Sequence, residues 1–491
     1  MTDVKQVQYD LLILNAEVFD GSMAKSVHQD VAIKGDKIVA IGQLCNTEAE
    51  TRVDGTGLVL APGFIDVHTH DDLELIRNPQ MFSKMSQGVT SVIIGNCGIS
   101  ASPCTLLDVP PDPINLLGIK EEFKYSSLAD YIKAISEVKP SVNVAALVGH
   151  TTLRAQVMDS LDRAASLEEI SKMKKMLRLA LQQGAKGLSS GLAYHNANYA
   201  PAGEIEALAA ELNEFNAIYT THLRTEFNDI IDALDEAFTL GRKANVPVVI
   251  SHLKCAGKEN WGRSREIIAH IEKAQQHQHI ACDCYPYNAS SSTLDLAQVT
   301  ADFKIFITWS TNHPEMAGQT LASIAQQWDM PLMAAAKRLQ PAGAVYHGIY
   351  EADVRNIIKF PTSMIGSDGL PCDPHPHPRL WGTFPRVLGH YSRDNNLLPL
   401  TQAIHKMTGL SATEFSLEQR GFIKEGYFAD LVLFDPNTIK DCANFVSPFK
   451  TSTGIKQVWV NGQLSYQESM GTNENAEQRA GRFLSHRALG H

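Results

Sequence analysis

Leu60-Ala-Pro-Gly-Phe-Ile-Asp-Val-His-Thr-His70 is an apolar run interrupted by a Pro-Gly pair and closed by two histidines. Side chains two apart on a strand point to the same face. Read as a strand, the stretch projects His68 and His70 to one side at its carboxyl end, which suits one metal ion. A lone His-x-His is weak evidence, because many such pairs are surface or core residues. Its place after an apolar strand and a turn strengthens it, and the chain on either side decides it.

Downstream, apolar runs alternate with amphipathic stretches. The candidate strands are 63–68, 91–96, 142–148, 187–191, 217–222, 246–252, 279–285 and 362–367. Between the third and fourth, Ser166–Gln183 carries Leu167, Ile170, Met173, Met176, Leu177 and Ala180 at helical spacing. It opens on Ser166-Leu-Glu-Glu169, a capping box. Residues 228–244 and 264–278 read the same way. Eight strands alternating with helices predict an α/β fold, a (β/α)8 TIM-like barrel over residues 62–414. The gap at about 288–354 predicts a lid-like insertion after strand seven. It rises over the carboxyl-end face, where active sites of this fold sit.

The two ends differ from the middle. Asp10–Asn15 is a short apolar strand, and Lys34-Gly35-Asp36 stands between two apolar runs as a hairpin turn. Residues 429–435 and 456–463 are again short strands, the second closing on Asn461-Gly462. Residues 1–61 and 415–491 are therefore expected to form one small β-sandwich domain built from both termini.

Composition narrows the partners. The 491-residue chain is 44% apolar and 20% charged, with a net charge of −11, a soluble balance unsuited to nucleic acid or anionic membranes. No apolar run approaches the ~18 residues of a membrane span. Residues 1–6 lack a basic-then-apolar leader pattern. Eight irregularly spaced cysteines read as free thiols rather than a disulfide framework. The expectation is a cytoplasmic protein acting on a small molecule. Its oligomeric state is left open, with a monomer compatible.

Chemistry collects at the strand ends. His68 and His70 close the first, Cys97 the second, His222 the fifth, His252 the sixth and Asp368 the eighth. Singly, each has an ordinary reading: a hydrogen-bonded core histidine, a buried small thiol, a turn aspartate. Together, in this order on successive strands, four imidazoles, a thiolate and a carboxylate converge on one mouth and suit one or two Zn2+ ions.

The order of these residues resembles the amidohydrolase superfamily. Gly95-Asn-Cys-Gly-Ile-Ser100, Ser189-Ser-Gly-Leu-Ala-Tyr194, Thr221-His-Leu-Arg-Thr225, Ser251-His-Leu-Lys254, Gly366-Ser-Asp-Gly-Leu-Pro371 and His375–Arg386 resemble the D-aminoacylases, the N-acyl-D-amino-acid deacylases. The likeness runs over nearly the whole chain. It implies that Cys97 bridges the metal positions where related enzymes use a carboxylated lysine. Here Ser189 stands at that lysine's place, and Lys186, three residues earlier, should face away. It implies one tightly held zinc on Cys97, His222 and His252, and a second position among His68, His70 and Asp368. A metal held there would supply the acidified water expected to attack the amide carbon. Asp368 is the expected catalytic residue, taking the water proton as general base and delivering it to the leaving amine as general acid.

The same likeness gives Tyr194, Lys254, Tyr285 and Arg379 to the α-carboxylate of an N-acyl-D-amino acid. His150 ends a strand too and is not counted as a ligand. Relatives acting on acyl-D-glutamate present an arginine just after strand seven. Residues 288–298 here contain neither Lys nor Arg but do contain Asp295, so neutral, apolar side chains are the expected preference. Alternatives are an N-acyl-D-glutamate or D-aspartate deacylase and a cyclic-amide hydrolase of the hydantoinase or dihydroorotase type. A non-enzymatic scaffold would need lost ligands, and all six are present.

Overall fold

The computed structural model describes residues 9–472 and 476–486. Residues 1–6, read above for a leader, and the last five residues of the tail lie outside the described residues.

Eight parallel strands, Phe64–Asp66, Val89–Ile94, Asn143–Gly149, Gly187–Gly191, Ile218–His222, Val248–Ile250, Ile280–Cys284 and Ser363–Ile365, each pair with the next. A bridge between Thr69 and Gly369 brings the eighth back beside the first. The sheet is thus a nearly closed barrel, as its alternating pattern predicts. Strand periodicity sorts its side chains. Ile65, Val67, Ile93, Ala145, Leu147, Val249, Ala281 and Met364 fill the interior. Val92, Ile94, Val144, Ala146 and Val148 face the helices.

The helix Leu167–Gln182 is capped as expected: the Ser166 hydroxyl accepts from the Glu169 N–H, and Glu169 accepts from the Ser166 N–H at 2.7 Å. Met173, Leu177 and Ala180 are buried, but Leu167, expected on the same face, is 87% exposed. Helical side chains lean toward the amino end, which carries a first-turn residue beyond the packed surface.

Both termini contribute to one nine-stranded sheet. Val59–Pro62 is the seam: it runs parallel to Tyr9–Val18 and antiparallel to Leu431–Phe434. Leu11, Ile13, Val31, Ile33, Leu60, Leu431, Leu433 and Trp459 form one cluster, so the sheet curls over a core of its own. Val27–Lys34 and Lys37–Gly42 make the expected hairpin. Asn461 and Gly462, both at positive φ (49° and 79°), turn Ile455–Val460 into Gln463–Gln467, the pairing a tight hairpin favours. The tail is laid on the barrel: the Leu484 N–H donates to Val144 O at 2.7 Å, and Arg479 donates to Lys139 O at 2.8 Å.

The insertion is a packed unit. Ser290–Thr293, Ile305–Ser310 and Ala342–Tyr346 form a sheet, and Leu321–Gln327 and Leu332–Leu339 pack on it through Ile307, Leu321, Ile324 and Leu339. The helix Glu351–Lys359 then returns the chain to the barrel, against its seventh and eighth strands. Among the described residues no helix is long and apolar enough to cross a membrane, and all eight cysteines are free.

Candidate metal centre

The barrel brings the six strand-end residues together. Cys97 Sγ lies 3.2 Å from His68 Nε2 and 3.3 Å from His252 Nε2. His222 Nδ1 is 3.1 Å from His252 Nε2. Asp368 Oδ1 is 3.2 Å from His70 Nε2 and 3.5 Å from His68 Nε2. The donor atoms fall into two groups that share Cys97, one with His68, His70 and Asp368, the other with His222 and His252. Within each group they lie within 4.8 Å of one another. All but His222 are buried.

The chain pays locally for this convergence. Cys97, His252 and Asp368 all have positive φ, +54°, +36° and +50°, a conformation that non-glycine residues adopt at a cost and that clusters at functional sites. The Cys97 turn is supported on every side. Gly95 before it has φ +76°, and a Cβ there would sit 2.2 Å from Leu147 O. Asp72 accepts from the N–H groups of Gly95 (3.3 Å) and Ala101 (3.0 Å), clamping both ends of the loop. The Ser189 hydroxyl donates to Gly95 O at 2.5 Å and accepts from the Gly98 N–H at 3.0 Å. Ser189 thus buttresses the cysteine turn. Lys186 points away and reaches Ser416 O at 3.0 Å, as strand alternation requires.

The donor set fits a divalent cation. Burial opposes ionisation of the Cys97 thiol, but His68 and His252 outweigh it and hold the thiol well below its ordinary value. Burial likewise opposes the Asp368 carboxylate, and Arg379 and His68 prevail, holding it low. Burial would lower His70, yet Asp368 and Cys97 raise it to about 9. The cluster draws positive charge to itself. Soft sulfur with imidazole and carboxylate is the donor chemistry of zinc.

Two residues of the site escaped the sequence reading. Asp283 Oδ2 is 3.3 Å from His68 Nδ1, and its Oδ1 accepts from the His252 N–H at 2.9 Å. The signal was present: an aspartate inside the buried strand Ile280–Cys284. Glu226 lies 3.0 Å from His252 Nδ1 and 2.5 Å from Lys254 Nζ. It sits in a loop, where no spacing marks it. His150, in contrast, bonds Glu204 at 2.9 Å beside Arg154, away from the six donors.

A cavity of about 1030 Å³ opens beside the donors. Tyr194, Lys254 and Tyr285 line it together with His222, His252 and Asp368, and the first strand of the insertion supplies much of the facing wall. The Tyr285 hydroxyl is buried beside Arg379, which can only donate to it, and its own proton has no acceptor among the described residues. Arg379 is fully buried, with Nη1 2.9 Å from Asp368 Oδ2 and its guanidinium 4.6 Å from the centre of the Tyr285 ring.

Residues 51–279 and 310–466 match the amidohydrolase family, the class that barrel and donor set define. The chain is 46% identical to the D-aminoacylase of Alcaligenes xylosoxydans xylosoxydans over 480 residues, 98% of each protein. An N-acyl-D-aspartate deacylase and an N-acyl-D-glutamate deacylase of the same organism are 45% and 43% identical, over 94% and 93% of this chain and 93% of each relative. A solved D-aminoacylase superposes with a TM-score of 0.94 at 44% identity, over 98% of this chain and 100% of that one. An N-acyl-D-glutamate deacylase of Bordetella bronchiseptica, solved with zinc and a phosphonate mimic of the tetrahedral intermediate, gives 0.93 at 40% identity, over 98% and 100%. The chain belongs to the amidohydrolase family, in its D-aminoacylase group, and is an enzyme.

Proposed function

We propose that this enzyme hydrolyses the amide bond of N-acyl-D-amino acids, releasing a carboxylate and a free D-amino acid. The observation that carries the reading is the sixfold donor cluster opening on a cavity that also presents Lys254 and Tyr285. Stereochemistry comes from the relatives' activities. Cys97, His222 and His252 are the residues to hold zinc tightly, with His68, His70 and Asp368 around a second position. Bound zinc supplies an acidified water and a Lewis acid for the carbonyl.

The chain's own groups do the rest. Asp368 takes a proton through the carboxylate oxygen that faces the histidines and returns it to the departing amine, because an amide anion leaves poorly. Lys254, Tyr194 and Tyr285 take the α-carboxylate, with Arg379 beside them. The Tyr285 hydroxyl, buried without an acceptor among the described residues, supports this role, since a buried donor seeks an acceptor. Arg379 links the two tasks: it neighbours both Asp368 and Tyr285, so an incoming carboxylate competes for the guanidinium that holds Asp368 low.

Side-chain choice follows from the insertion. Its wall brings Asp295 to the cavity. The cavity's Arg224 is committed to Glu236 at 2.8 Å. Among the described residues lining the cavity, Arg224 and Lys254 each already have an acidic partner, so an acidic side chain meets no unpaired Lys or Arg and neutral, apolar D-residues are preferred. The enzyme is taken to act in the cytoplasm, on a small molecule, with a monomer sufficient. The test is a kinetic panel of N-acetyl D- and L-amino acids with zinc measured on the same sample. Turnover of N-acetyl-D-leucine and N-acetyl-D-methionine above that of their L forms and of N-acetyl-D-glutamate is expected. Hydrolysis of hydantoins in their place would favour the cyclic-amide reading and sink this one.

A further inference from the structure

Glu226 does more than neutralise a neighbour. Its Oε1 is 3.0 Å from His252 Nδ1 and 2.5 Å from Lys254 Nζ, and those two nitrogens are only 2.8 Å apart. His252 presents its other nitrogen, Nε2, to Cys97 Sγ and His222 Nδ1. A neutral imidazole offers a lone pair on one nitrogen and carries its proton on the other. For Nε2 to donate to a metal, the proton must sit on Nδ1. Nδ1–H and the Lys254 ammonium are then two donors pressed together, which is unfavourable unless one charged acceptor serves both. Glu226 is that acceptor. Without it, Lys254 would donate to Nδ1 and drive the proton onto Nε2, where the metal must bind.

The backbone holds the carboxylate in place. The loop after His222 is tied to the loop after His252 by the Ala256 N–H donating to Glu226 O at 2.9 Å. Glu226 Oε2 is also 3.8 Å from His222 Nε2. One side chain therefore touches two metal-type histidines and the lysine of the substrate wall.

We propose that Glu226 is a positioning residue that fixes the His252 tautomer and anchors Lys254, so that metal binding and carboxylate binding depend on the same carboxylate. This rests on the reading of His252 as a ligand and Lys254 as a carboxylate anchor. The experiment compares wild type, Glu226→Gln, Glu226→Asp and His252→Ala, each checked for folding by circular dichroism. Zinc affinity is measured by chelator competition, and KM for N-acetyl-D-leucine at saturating zinc. Glu226→Gln is expected to bind zinc about 10- to 100-fold more weakly and to raise KM, while Glu226→Asp, which keeps the charge, recovers part of both. A folded Glu226→Gln protein with wild-type zinc affinity, or an Asp variant no better than Gln, overturns the proposal. Unchanged zinc affinity in His252→Ala overturns instead the ligand assignment beneath it. Should Glu226→Gln fail to fold, Glu226→Ala, which also removes the charged acceptor, is read in its place, and wild-type zinc affinity in it contradicts the tautomer role.

Discussion

At the scale of single residues, the site rests on side chains whose neighbours leave them little freedom. Asp368 is 3.2 Å from His70 and 2.9 Å from Arg379, so an amide in its place keeps the shape and loses the proton exchange. Asp368→Asn is expected to lower kcat by at least about 10²–10⁴-fold while zinc stays on Cys97, His222 and His252. Metal content and turnover on one preparation check it, and near-normal activity would contradict the role. Cys97→Ala removes the atom common to both donor groups. Zinc content is expected to collapse, whereas Ser189→Ala, which only loosens the cysteine turn, is expected to lower affinity and not abolish it. The six donors were legible because each interrupts or ends an apolar strand with a residue of metal-binding type. Glu226 was not, because an acidic loop residue looks like any solvated one until the fold sets Lys254 against it.

At the scale of elements, buried charge joins strand ends. Lys84 Nζ, wholly enclosed, lies 2.9 Å from Asp66 Oδ2, 3.1 Å from Asp71 Oδ2 and 2.9 Å from the Ser367 hydroxyl. Asp66 in turn accepts from the Ser367 N–H at 2.7 Å. The network ties the first barrel strand to the eighth beside the His68 and Asp368 turns. Replacing Lys84 by Met strands two carboxylates, and a loss of about 3–5 kcal/mol is expected in denaturant unfolding; a loss under about 1 kcal/mol would show the network to be ornamental. A second buried group gives a pH signature. Burial would raise the Glu204 carboxyl, but the hydrogen bond from His150, an imidazole that burial itself holds below its ordinary value, and then Arg154 dominate and bring it from 4.5 to about 2. A carboxyl depressed in the folded state adds stability above its unfolded pKa, and that part is lost as pH falls from about 4.5 toward about 2. Glu204→Gln is therefore expected to be less stable than wild type at neutral pH, with the gap narrowing as pH falls through that window. A gap that widens between about pH 4.5 and about 2 would refute the sign. The helices were readable where periodicity and caps agreed, as at Ser166. They misled at Leu167, where the pattern cannot say how far a partner surface extends.

At the scale of the whole molecule, the barrel and the terminal sheet were legible from alternation because each layer's period differs from its neighbours'. The internal order of the insertion was not. Its first strand, Ser290–Thr293, is short and polar, and it takes its form from pairing with Ala342–Tyr346 over the hydrophobic cluster. Because this unit walls the cavity, side-chain preference belongs to the molecule rather than to any one residue. A kcat/KM for N-acetyl-D-leucine exceeding that for N-acetyl-D-glutamate is expected, and the reverse order would place an unrecognised cation at the wall.

All these readings assume that the strand-end donors hold a cation on which turnover depends. The direct measurement is to strip the purified enzyme of metal by exhaustive chelation and follow hydrolysis of N-acetyl-D-leucine before and after zinc is returned. Activity should vanish with the metal and return near one zinc per chain. Undiminished hydrolysis by metal-free enzyme would contradict the account.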